Sequence, residues 1–214
     1  MWRGGVAGFP AANLAHPVVV QGGVDLNAWL VADLGAVRDR WSSAIAAHVP
    51  EDRWTERADG GGSSIAALLL HVAVHQDLAG RSAIRGLPPL FTERSEGLGL
   101  GSNASPVASL QEAEDPAVTG SLDLSAVRAY ASDVHAESVT TLAGLHPADL
   151  DAVGPASARL AELGGVTHQD APWLHAMWEG KPVAWFVRWE LIGHAQGHVG
   201  EMVSIRDRLG YRPF

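Results

Sequence analysis

Histidine supplies ten of the 214 residues and cysteine none. Imidazole is therefore the main candidate for metal ligation or proton transfer, and any thiol chemistry needs a thiol from outside the chain. Two histidine pairs are spaced four apart, His71 with His75 and His194 with His198. On a helix, residues i and i+4 lie one above the other, so each pair can aim two rings at a common point. Two imidazoles from one helix and a third from a facing helix would fill three positions around a divalent ion and leave one open, as catalysis requires. Neutral nitrogen donors suit zinc, nickel or iron(II) better than magnesium or calcium. An ion so held lowers the pKa of bound water to about 7, or that of a thiol far enough to yield thiolate.

The helix faces support this reading. On a 100° wheel, His71 and His75 share a side with Ala67, Leu68, Val74 and Leu78, whereas Gln76 and Asp77 point elsewhere. His194 and His198 share theirs with Val187, Leu191 and Ile205, and with Glu190 and Glu201. Glu201, one turn beyond His198, is a candidate catalytic group that orients an imidazole or serves as base. Glu190 stands in an i, i+4, i+8 ladder with His194 and His198 and is a candidate to replace or supplement a nitrogen ligand. Gly193, Gly197 and Gly200 form an adjacent stripe where another helix would approach closely. The tryptophans at 54, 173, 178, 185 and 189 read as core, and His16, His48, His135, His146, His168 and His175 as surface or loop.

Four long helices must position these groups. The first runs from an N-cap at Asp25 to Pro50, and the second from Ser63 or Ser64 to Gly86, ahead of Pro88 and Pro89. Residues 87 to about 122 are rich in helix breakers and read as a long crossover, which permits neighbouring helices to run parallel. A third helix starts at Asp123 or Ser125 and runs through Leu145; short helical pieces broken at Gly154-Pro155 follow it. The fourth carries Pro182 in its first turn and ends before Gly210 at a C′ position. Together they predict an all-α four-helix bundle: an N-terminal extension over 1–23, then one domain over 24–214.

Composition narrows the function classes. Lys plus Arg is 15 against 24 Asp plus Glu, a net charge of −9, so no global positive field exists to hold nucleic acid or an anionic bilayer. The apolar stretch Val6–Val20 is interrupted by Pro10, Asn13, His16 and Pro17, and reads neither as a signal segment nor as a membrane span. The expectation is a cytoplasmic protein acting on a small-molecule substrate.

The segments SIAALLLHVAVHQDLAG, in which Asp77 follows His71 by six residues, and WELIGHAQGHVGEMVSIRDRLG resemble the two signature helices of the DinB/YfiT-like superfamily. That resemblance implies an up-down-down-up four-helix bundle with a long crossover between helices 2 and 3. It also implies a metal site of three histidines, which on this chain are His71, His194 and His198. The commonest family pattern has no histidine at position 75, so His75 stands as a fourth ligand, a supporting group or an alternative to His71. Members with known activities are transferases and isomerases, including maleylpyruvate isomerase, that use small thiols such as mycothiol or bacillithiol. A homodimer is the expectation from the same analogy and from general frequency.

Overall fold

A computed structural model of the protein describes residues 25–58, 61–101, 104–110 and 120–213; the 1–23 extension and His16 lie outside them. The described residues are mostly helical and form no strand, only two isolated bridges, Arg57 with Ser64 and Val153 with Pro182. No helix among them is long and apolar enough to cross a membrane.

Side-chain caps set the helix starts. Helix α1, Leu26–Trp41, begins where the Asp25 carboxylate accepts the Ala28 N–H at 3.1 Å. Helix α2, Ile65–Asp77, begins at Ser64, whose Oγ accepts the Ala67 N–H at 3.2 Å. Helix α3, Leu124–Gly144, begins at Asp123, which accepts the Ala126 N–H at 2.9 Å. Asp123, and not Ser125, is therefore the cap. The broken region supplies α4, Ala156–Glu162, directly after Gly154-Pro155. It is followed by α5, Pro172–Trp178, which the sequence reading did not anticipate. The last stretch is continuous from Val183: one turn to Phe186, a π-helical segment Val187–Gly193, then α6, His194–Arg208. Gly210 follows with φ of 89°, a left-handed value that suits a C′ glycine.

The long helices pack in a ring, α1 on α3, α3 on α2, α2 on α6 and α6 on α1. Contacts give their relative directions. Asp77 meets Tyr130, while Arg81 and Arg85 further along meet Glu137, so α2 and α3 run the same way. Gln76 instead meets Leu191 while His71 meets His194, so α2 and the last stretch run oppositely. Parallel neighbours need a long connection between them, and the crossover after residue 86 provides it. It packs through Phe91, Leu98, Leu100 and Leu110, all buried.

Helix α2 sits at the centre. Every residue of it is buried except Leu69 and Val72, including Gln76 and Asp77, which the wheel placed away from the core. The wheel failed because the helix is covered on all sides but the one holding Leu69 and Val72, so each polar residue had to find a partner inside. The Asp77 carboxylate accepts from the backbone N–H groups of Leu90 and Phe91 at 3.0 and 2.9 Å and from the Tyr130 hydroxyl at 2.9 Å. Asp77 thus ties the start of the crossover to both α2 and α3. Gln76 donates to the Leu191 carbonyl at 2.7 Å.

Candidate metal centre

Helix α2 and the last helical stretch face each other so that His71, His194 and His198 each bring a ligand atom within 4.8 Å of the other two. His194 Nε2 lies 3.2 Å from His71 Nε2 and 2.9 Å from His198 Nε2. An ion with metal–nitrogen bonds of about 2.0–2.1 Å holds nitrogen pairs roughly 2.9 Å apart at a right angle and about 3.4 Å apart at the tetrahedral angle. The spacing found here falls between those two values.

The outer ring nitrogens are fixed by oxygen acceptors. His71 Nδ1 is 2.7 Å from the Ser109 carbonyl, which can only accept, so that nitrogen carries the proton. His198 Nδ1 donates in the same way to Glu201 Oε2 at 3.0 Å. Both rings therefore present a bare Nε2 lone pair toward His194. One proton on His194 Nε2 cannot serve two lone pairs well, and its Nδ1 is buried without a partner among the described residues. Three nitrogen donors facing one another in this way could hold a metal ion.

Burial reinforces the neutral, ligand-competent state. The His71 imidazolium is disfavoured first by burial and then by His75 and His198, which bring its pKa down to about 3 against the opposing bond to Ser109. Burial again comes first for His194, followed by His75, His198 and His71, and its pKa is about 2.

His75 lies beside this triad, its ring centroid 4.6 Å from that of His71 and 4.5 Å from that of His194. Its Nδ1 donates to Glu190 Oε2 at 3.0 Å, and the other Glu190 oxygen accepts the Trp178 indole N–H at 2.7 Å. His75, Glu190 and His194 make a second group close enough to hold an ion. Glu190 is completely buried, so its charge needs both donors. It resides in the π-helical segment, a local widening found often at functional sites.

Several surroundings differ from the sequence reading. Trp54 and Trp178 are core, but Trp173 and Trp189 are 42% and 45% exposed. Their rings lie 6.3 Å from His75 and 6.1 Å from His194, so they flank the histidines instead of filling the interior. His175 is buried, not a surface or loop residue: its Nε2 donates to the Val166 carbonyl at 2.9 Å and its Nδ1 accepts from Ser157 Oγ at 2.8 Å. His48, His146 and His168 are exposed, and His135 is half-buried. Among the described residues no helix approaches the glycine stripe: a Cβ at Gly197 or Gly200 would meet nothing within 4 Å, and one at Gly193 would meet the Arg188 carbonyl of its own π turn. Ser109 escaped the sequence reading because it acts through a backbone carbonyl, which leaves no side-chain signal.

A family model described as the DinB superfamily matches residues 33–202. No curated protein and no solved structure matches the chain.

Proposed function

The chain belongs to the DinB superfamily, and on that premise we propose that it is a metal-dependent enzyme built as an up-down-down-up four-helix bundle. His71, His194 and His198 hold a divalent transition ion, zinc, nickel or iron, as three neutral nitrogen ligands. The observation that carries this reading is the convergence of their Nε2 atoms on one point while Ser109 and Glu201 hold the protons of the two flanking rings on the far side. The ion supplies Lewis acidity that lowers the pKa of a thiol or water entering the site. Because the chain has no cysteine, the thiol is an external small molecule such as mycothiol, directed at a small electrophile.

The chain's own groups do the positioning. Glu201 keeps the His198 ring in its ligating tautomer, and the Ser109 carbonyl does so for His71. Glu190, pinned by Trp178, holds His75 beside the triad with its Nε2 unpartnered among the described residues. His75 in that setting is a supporting group or an additional ligand.

Metal content tests the site. Elemental analysis of the untagged protein should show bound transition metal, lost in the His194→Ala/His198→Ala variant; equally negligible metal in both would overturn the proposal. Turnover of a thiol with an electrophile panel, abolished by chelator, tests the reaction. Turnover that persists without thiol would make the protein a metal-dependent hydrolase. One observation favours a non-catalytic metal- or ligand-binding bundle: Glu190 and Glu201 are both engaged in holding imidazoles, leaving no separate acid–base carboxylate in the cluster among the described residues. Absence of turnover in a metal-loaded protein would select that reading.

A further inference from the structure

A cavity of about 450 Å³ lies between α1, α2, α3 and α6, lined by residues of α2 and α6 other than the histidines. From α2 it is lined by Leu69, Val72, Ala73 and Gln76, and from α6 by Ala195, Val199 and Met202. Leu69 and Val72 are the two residues of α2 that are not buried, both are apolar, and both face this space. In a helix otherwise sealed on every side, that is a gap in the packing confined to one place. It is open to solvent on one side, and its volume falls in the range of small-ligand sites, roughly 300–1,000 Å³.

The polar part of the wall has one sign. Its charged groups are Arg38 and Arg128, beside Ser125, Ser132 and His135, whose imidazole burial and Arg38 hold toward the neutral form; among the described residues no Asp or Glu lines it, in a chain whose net charge is −9. Arg128 is paired with Glu51 and stands over the Trp54 ring, its guanidinium 5.7 Å from the ring centre. Arg38 instead bonds the neutral Ser132 hydroxyl at 3.3 Å. Among the described residues no carboxylate is hydrogen-bonded to Arg38, which lines the cavity. We infer that this cavity binds a single-chain amphiphile with a carboxylate head, the chain lying on Leu69, Val72, Val199 and Met202 and the head on Arg38 and Ser132. The inference does not depend on the metal, because no histidine of the cluster lines the cavity.

Decanoate is the probe, titrated calorimetrically into the full chain below its micelle concentration. One equivalent is expected to bind, with and without chelator. Arg38→Gln should weaken binding at least tenfold, and Ala129→Trp, which fills the cavity from an exposed position, should abolish it. Both sites are at the surface, so circular dichroism should show the helical content unchanged. Three results would each overturn the inference: no decanoate binding, binding insensitive to both variants, or equal affinity for decyltrimethylammonium. The first would also be the result if residues 1–24 or a second copy of the chain fills the space.

Discussion

Two carboxylates attend the histidine cluster, and their environments divide their work. Glu190 is fully buried between the Trp178 indole and His75, whereas the Glu201 side chain is 41% exposed. Replacing Glu190 by Ala leaves two buried donors without an acceptor, so a loss of about 2–4 kcal/mol in unfolding free energy is expected from urea denaturation. Glu201→Gln should barely change stability, because a partly exposed pair contributes little in water. It should instead weaken metal binding by roughly 10–100-fold, the usual effect of losing an outer partner of a ligating imidazole, as measured by competition with a chromophoric chelator. A variant pair in which both effects fall on the same residue would contradict this division. The two histidine pairs and Glu190 were legible from i, i+4 spacing and Glu201 from the shared helix face, whereas the choice of His71 over His75 came from the family resemblance. Trp173 and Trp189 were misread because exposure depends on which neighbours cover a residue, and single-chain periodicity does not encode that.

At the level of elements, the cluster depends on the crossover, whose described residues reach it through the Ser109 backbone carbonyl. The Ser109 carbonyl fixes the His71 ring, and Asp77 anchors the start of the same crossover through Leu90 and Phe91. Asp77→Ala should cost on the order of 3 kcal/mol, because Tyr130 and two backbone N–H groups lose their shared acceptor. It should also speed amide exchange at residues 90 and 91, observable by hydrogen-exchange mass spectrometry. The π-helical segment makes a second demand: a Cβ at Gly193 would lie 2.9 Å from the Arg188 carbonyl oxygen, which is backbone and cannot swing away. Gly193→Ala should therefore destabilise by about 1–3 kcal/mol and displace Glu190 relative to His194. Long periodic stretches with caps at Asp25, Ser64 and Asp123 made the helices readable. The wide turn within the last one was not, because π geometry depends on the packing around it and has no composition of its own.

For the whole molecule, the histidine cluster links metal content, pH and stability. His71 and His194 have pKa values near 3 and 2 when folded, against 6.5 for the free side chain. The unfolded chain takes up protons as the pH falls below 6.5 and the folded chain does not, so this contribution is complete above 6.5 and is lost toward about 3. Chelator-treated protein should thus show a falling melting temperature from pH 7 to pH 4, with a shallower fall in His71→Gln. Calorimetric scans showing the same slope in both would contradict the linkage. The two indoles standing at the histidines, Trp173 and Trp189, give the molecule an optical gauge of its own. A paramagnetic ion such as copper(II) or nickel(II) arriving among the imidazoles would dim their emission, so occupancy could be followed by fluorescence without any attached dye.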